Sequence, residues 1–269
     1  MNDGQALGQQ NYALLTVDDA VATITLNRPD AYNSIDIEMA RRLCSLAAQV
    51  EQMPSVRVLI IRGAGKAFCA GGDINFFIEH AADLGPPITQ LLTRLHSFLI
   101  ALKRMPILVI TSVHGVAAGA GFSMAFMGDY CIAAASARFR PAYAALGVSP
   151  DAGGSYALVQ SLGARRALSV LLQDEISCSK ALALGLVSQE VEDADIETAT
   201  LEFAHRLAQI NPQALASSKK LVWRTNGNTL EQQLDAELKE MLKCMATSRF
   251  QDNLKQFAQA RNPRQGTPG

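Results

Sequence analysis

One carboxylate stands apart in the stretch "LGVSPDAGGSY", residues 146–156: Asp151 follows a proline, precedes an Ala-Gly-Gly run, and is the sole acidic residue between Ala133 and Gln173. Two roles are open to it. An Asp ahead of a helix that starts near Gly153–Ser155 is a favoured N-cap, worth about 1 kcal/mol. An Asp in an apolar pocket has its pKa raised by desolvation, which strengthens it as a base and suits it to moving a proton.

Two glycine loops offer the complementary chemistry. "FCAGGD" (68–73) and "GVAAGAGFSM" (115–124) each follow an apolar run and open a helical pattern. Backbone N–H groups at a helix start have no intrahelical partner and, with the helix dipole, favour negative charge. Gly and Ala let a ligand reach that backbone. Two such loops side by side aim two N–H groups at one oxygen, the requirement of an oxyanion hole. The same glycines would also serve a phosphate cradle or tight packing. Neither loop reads G-x-G-x-x-G or G-x-x-x-x-G-K-[ST].

These residues need elements to position them. "YALLTV" and "VATITLN" flank "DDA" and read as a hairpin over 11–27. "NRPDAYNSI" is a loop rich in breakers, and a helix starts at Asp36. "VRVLIIRG", "ILVITSV" and "DYCIAAAS" are short apolar runs of the kind buried on both faces of a parallel sheet. Between them come the glycine loops, a short helix from Asp73, the linker "DLGPP", a helix over 88–104 and another through Met127. Strand, loop and helix recur from 56 to 160, which predicts an α/β core. Beyond 160 only "GLVSQEV" (185–191) reads as extended, and helices follow over 194–209, 212–224, 229–245 and 248–260. The expected division is a core over 1–200 carrying the site and a helical region over 201–269. Leu230, Leu234, Leu238 and Leu242 give the latter a one-sided apolar face, for packing on the core or on another subunit.

Composition narrows the partners. The 269 residues carry a formal charge of −1, without the basic surplus of a nucleic-acid or anionic-membrane binder. About half are apolar, enough for a sizeable core, and no apolar window suits a membrane span. "MNDGQALGQQ" shows no secretory pattern. Cys44, Cys69, Cys131, Cys178 and Cys244 are scattered without metal-site spacing, so a cytoplasmic protein with reduced thiols and no metal is expected.

"ITLNRPDAYNSI", "AFCAGGDI", "GVAAGAG", "LGVSPDAGG", "ALALGLV" and "FAQARNP" occur in that order, and together they resemble the crotonase superfamily of enoyl-CoA hydratases and isomerases over about residues 12–263. The resemblance implies a spiral of ββα repeats with a C-terminal helical region that builds homotrimers, often paired into hexamers. It also implies acyl-CoA thioester substrates, no separate cofactor, and an enolate held by two backbone N–H groups. By position those belong to Gly72 and Ala120, the latter where Gly is frequent. The same positions imply CoA contacts at Arg28, Ala31, Ala70, Asp73 and Ile74, with Tyr143 beside the substrate. Arg28 would meet a phosphate or be an ordinary turn residue; Asp73 would contact CoA or cap the helix it begins. His114 stands where Asn is common and is read as a packing substitution.

Hydration, in family members that perform it, resembles a task for two glutamates. Their positions are held here by Ser123 and Tyr143, neither of which is a useful acid–base near neutrality. Asp151 matches a position where some members carry a catalytic Asp, and the "GVAAGAG" and "PDAGG" motifs look most like the ring-epoxide isomerase of phenylacetyl-CoA breakdown. An enoyl-CoA isomerase with Asp151 as its single acid–base is therefore expected, the alternatives being a hydratase, a thioester hydrolase, an aryl-CoA dehalogenase or a non-catalytic acyl-CoA-binding scaffold.

Overall fold

The computed structural model describes residues 12–261, with side chains through Gln259. The N-terminal "MNDGQALGQQ" and the end of "FAQARNP" lie outside the described residues. Contacts divide the chain into two compact units, one ending at Leu207 and one starting at Ala208.

In the first unit, β1 (Ala13–Asp18) and β2 (Val21–Leu26) pair antiparallel, Asp18 opposite Val21. The turn residue Asp19 sits at φ 53, a left-handed conformation that Asp tolerates better than most residues. α1 (Ile37–Glu51) begins where expected, because the Asp36 carboxylate accepts the Met39 N–H at 2.8 Å. Its Met39, Leu43, Leu46 and Val50 recur at helical spacing and are buried. β3 (Val58–Gly63) leads through the first glycine loop to α2 (Ile74–Glu79) and α3 (Gly85–Arg104). The linker "DLGPP" thus ends inside a helix. Pro86 and Pro87 occupy the first turn of α3, where a missing N–H leaves no bond unmade. β4 (Leu108–Val113) follows; then come β5 (Val116–Ala118) and α4 (Ala120–Ala125) within the second glycine loop, β6 (Tyr130–Ala134) and β7 (Arg138–Arg140). α5 (Gly154–Leu162), α6 (Ala164–Leu171), β8 (Ile176–Ser177), α7 (Cys178–Ala183), β9 (Gln189–Val191) and α8 (Ile196–Ala208) complete the walk.

The strands form two sheets. One runs β1-β2-β3-β4-β6-β9, parallel apart from the first pair; the other runs β5-β7-β8. Parallel neighbours require crossovers, and the glycine loops and helices supply them. Leu59, Ile61, Phe68, Phe98, Phe122 and Phe139 are fully buried in the core between these layers. The strands of the small sheet are not among the elements that the sequence pattern marks. Strands of two or three residues, spelled "VAA", "RFR" and "IS", are too short for an alternation to register.

The second unit contains α9 (Pro212–Arg224), α10 (Leu230–Met245) and α11 (Ser248–Arg261). Its Glu240 is buried and joins Lys220 at 2.5 Å, Lys243 at 2.9 Å and the Ser217 hydroxyl at 2.8 Å. Lys219 is buried, and Lys220 is exposed and paired with Glu240. Leu230, Leu234, Leu238 and Leu242 stay exposed, at 54–70 %.

The glycine loops are held backbone to backbone. Cys69 N–H donates to Val116 O at 3.2 Å, and Ala118 N–H donates to Cys69 O at 2.9 Å. A Cβ on Gly121 would overlap the Cys69 carbonyl oxygen, a backbone atom with no room to yield. Gly121→Ala is therefore expected to lower stability by about 1–3 kcal/mol in urea unfolding. Unchanged stability would show that the loops can separate.

Candidate active site

The first glycine loop is anchored by Asn33. Its fully buried carboxamide accepts the Arg28 N–H at 2.9 Å and donates to the Ala64 and Ala67 carbonyls at 2.8 Å each. Ile35 then pairs across Gly72: Ile35 N–H donates to Gly71 O at 2.7 Å, and Asp73 N–H donates to Ile35 O at 3.0 Å. This bridge uses the residues flanking Gly72 and leaves the Gly72 N–H without a partner among the described residues.

The second loop has the same outcome by a different route. Gly119 N–H donates to Arg140 O at 2.9 Å, while Ala120 is the first residue of α4 and has no intrahelical acceptor. A Cβ on Gly71 would lie 3.2 Å from Ala120 N, and one on Gly119 would lie 3.8 Å from Gly71 Cα. The two unused N–H groups therefore come from backbones in direct contact. Beside Gly72 lies Phe77 of α2, whose ring a Cβ on Gly72 would meet at 2.6 Å. An apolar ring beside an unpaired donor limits its hydration, which strengthens any interaction it makes with an anion.

Asp151 does not cap a helix. α5 starts at Gly154, and its capping residue is Gly153, at φ 77, with no side-chain hydrogen bond. Ala152 is also left-handed, at φ 48, and fully buried. Two left-handed residues turn the chain so that the Asp151 backbone oxygen, not its carboxylate, accepts the Gly154 N–H at 2.9 Å. The carboxylate instead accepts the Tyr143 hydroxyl at Oδ1, 2.8 Å away. Burial pushes the Asp151 carboxyl above its ordinary range, opposed by the Tyr143 hydrogen bond and by the charge of His96 on α3.

Tyr143 and Ser123 stand where carboxylates were sought, and they are joined. Their hydroxyls lie 2.6 Å apart, with Ser123 fully buried and Tyr143 5 % exposed. α5 presses on Ser123 so closely that a Cβ on Gly154 would overlap its hydroxyl. Burial and the negative charge of Asp151 raise the Tyr143 phenol, so it is no base at neutral pH. By position Ser123 and Tyr143 replace two glutamates and Tyr143 falls beside the substrate, but residue order carries no sign of the hydroxyl chain that ends on Asp151.

The family model described as enoyl-CoA hydratase/isomerase matches residues 16–267. The chain belongs to the enoyl-CoA hydratase/isomerase family. It is 34% identical over 254 residues to the 1,2-epoxyphenylacetyl-CoA isomerase of Escherichia coli, covering 94% of this chain and 97% of that protein. It is 31% identical to the trans-2-decenoyl-[acyl-carrier-protein] isomerase of Streptococcus mutans, covering 93% and 96%. A crystal structure of an enoyl-CoA hydratase from Polaromonas sp. JS666 matches with a TM-score of 0.87 at 31% identity, over 91% of this chain and 96% of that one. The crotonase-type fold of the enoyl-CoA hydratase/isomerase family is thus the fold of this chain.

The other positions singled out on family grounds divide by what they do here. Arg28 is engaged: it meets Asp73 at 2.8 Å, Asp36 at 3.2 Å and the Ser34 carbonyl at 2.7 Å, and stacks over Tyr12 at 5.0 Å. Asp73 does cap α2, accepting the Asn75 N–H at 3.0 Å. Ala70 and Ile74 are exposed and Ala31 half-buried, so backbone and methyl surface is open beside the first loop. His114 Nε2 lies 2.9 Å from the Gly65 carbonyl, a structural contact.

Burial pushes the Asp73 carboxyl up, but its hydrogen bond and charge pairing with Arg28 and the Asn75 N–H outweigh this and hold it below its ordinary value near 3.8. Its stabilisation is therefore present above that value and lost as pH falls through the lowered folded one. Asp73→Asn is expected to cost about 1–3 kcal/mol at neutral pH. The gap to wild type should close as urea unfolding is repeated at increasingly acidic pH. A gap that does not change with pH would mean Asp73 contributes only its cap.

Proposed function

We propose that the protein isomerises an acyl-CoA thioester by moving a proton between carbons, shifting a double bond or rearranging a ring-epoxide, with Asp151 as the single acid–base. The observation that carries this reading is the Asp151 carboxylate itself. It is relieved of capping, largely withdrawn from water, and tied through one oxygen to a neutral hydroxyl. In the proposed cycle the thioester carbonyl accepts the Gly72 and Ala120 N–H groups. Asp151 takes a proton from a carbon activated by that carbonyl, leaving a dienolate whose charge rests on the held oxygen. The protonated Asp151 returns the proton two carbons away. Nothing is consumed, and neither a metal nor a separate cofactor is needed.

The second reading is hydration, and it draws on likeness to proteins such as the Polaromonas enoyl-CoA hydratase. Adding water calls for a second group to orient and deprotonate it. The buried, mutually bonded Ser123 and Tyr143 argue against that group being present. Thioester hydrolysis would instead release free CoA, which a thiol reagent reports, and a scaffold would bind acyl-CoA without turnover. We further propose a cytoplasmic homotrimer or dimer of trimers, on the support of the exposed leucine stripe of α10. Acyl-CoA is the proposed partner, with no role in nucleic-acid or membrane binding.

Asp151→Asn is expected to fold and to lose turnover of a 3-enoyl-CoA by about 10²–10⁴-fold. A raised folded pKa gives stability that is full below the ordinary value near 3.8 and is lost as pH rises through the folded one. The variant should therefore melt above wild type at pH 7 and lose that advantage in acid. Wild-type turnover in Asp151→Asn would end the assignment of Asp151 as the base.

A further inference from the structure

We propose that Tyr143 is the positioning residue of the proton-transfer carboxylate, and that Ser123, Tyr143 and Asp151 form a hydrogen-bonded wire that holds one carboxylate oxygen while the other takes up and returns the proton. This rests on Asp151 being the base.

The geometry fixes the order of donors. A phenol has one proton. With Asp151 ionised, that proton goes to Oδ1 at 2.8 Å, so the Ser123 hydroxyl must donate to the phenol oxygen at 2.6 Å. With Asp151 protonated at Oδ2, Oδ1 still accepts the phenol proton and the phenol oxygen still accepts from Ser123. Every hydrogen bond survives the change, and no hydroxyl has to rotate. Oδ2 has no partner among the described residues, which leaves it as the oxygen that meets a substrate proton.

The anchorage is rigid at its far end. Ser123 is fully buried one helical turn beyond Ala120, and its backbone N–H is fixed to Gly119 O at 3.0 Å. The wire thus ties the base to the same short helix α4 that presents one of the two carbonyl-binding N–H groups. A base and an anion site referenced to one helix keep their separation when loops move. Asp151 itself follows a long exposed run from Ala144 to Ser149 and has no other side-chain anchor among the described residues.

Other titratable groups also face Asp151. His96 of α3 favours the carboxylate through its charge, and the Cys69 thiol of the first glycine loop, pushed up to about 12 by burial, is neutral there. α4 contributes Ser123, and the start of α5 contributes only glycine. Tyr143 is the one that touches the carboxylate.

Tyr143→Phe removes the hydrogen bond that favours the charged form, so the acidic limb of the kcat/KM profile is expected to move to higher pH. Loss of positioning should lower kcat about tenfold at the pH optimum while KM stays within about twofold. Ser123→Ala, which leaves the Tyr143–Asp151 bond in place, should move the limb the same way by less, and serves if the first variant folds poorly. The ¹³C carboxyl signal of Asp151, assigned by its loss in Asp151→Asn, should titrate higher in Tyr143→Phe whether or not any substrate is turned over. An unmoved carboxyl titration, or a raised KM with unchanged kcat, would overturn the proposal and make Tyr143 a substrate contact. Full activity in Asp151→Asn would instead sink the base itself, an outcome the carboxyl titration distinguishes.

Discussion

Two backbone N–H groups without partners are what the rest of the first unit is arranged around. An unused donor is tolerated only where it reaches water or an anion. Here Gly71 and Asp73 are engaged with Ile35, Ala118 with Cys69 and Gly119 with Arg140. The pairing runs along both loops as far as Gly72 and Ala120. That arrangement requires glycine where the loops touch, a small sheet to hold the second loop, and Asn33 to hold the first. Donors supplied by the main chain are insensitive to side-chain change.

The carboxylate obeys the opposite logic. Asp151 is disfavoured by its surroundings, being drawn from water beside a left-handed, fully buried Ala152. Strain and desolvation of this kind are retained where function opposes stability. Asp73 shows the contrast: it too is buried, but a guanidinium and a backbone N–H hold it ionised and make it a brace. Two aspartates of equal intrinsic acidity thus differ in use because one is paired with a cation and the other with a phenol.

Much of this was legible in the residue order. The hairpin, the buried parallel strands, the glycine loops and the C-terminal helices follow from period and punctuation, and Gly72 and Ala120 follow from loops that open helices. The small sheet was not legible, because β5, β7 and β8 are too short to carry a period. Nor was the fate of Asp151. The signal "PDAGG" fits a helix cap equally well, and only the left-handed pair Ala152–Gly153 removes the carboxylate from the helix start. The bonds from Tyr143 to Ser123 and to Asp151 span 20 and 8 residues, distances at which no local pattern connects hydroxyls and a carboxylate. Arg28 carries the same lesson for charge: a lone cation in sequence says nothing about the acids folded against it.

The contact of Gly154 with the Ser123 hydroxyl has a consequence for how such a site changes over time. Position 123 is walled by a glycine backbone on one side and capped by a phenol on the other. A longer acid at 123 finds no volume unless position 143 retreats, and a shorter residue at 143 strands a buried hydroxyl at 123. The two positions are thus epistatic. Replacing either residue alone leaves the site overpacked or hollow, so a change to a carboxylate at one position calls for a compensating change at the other.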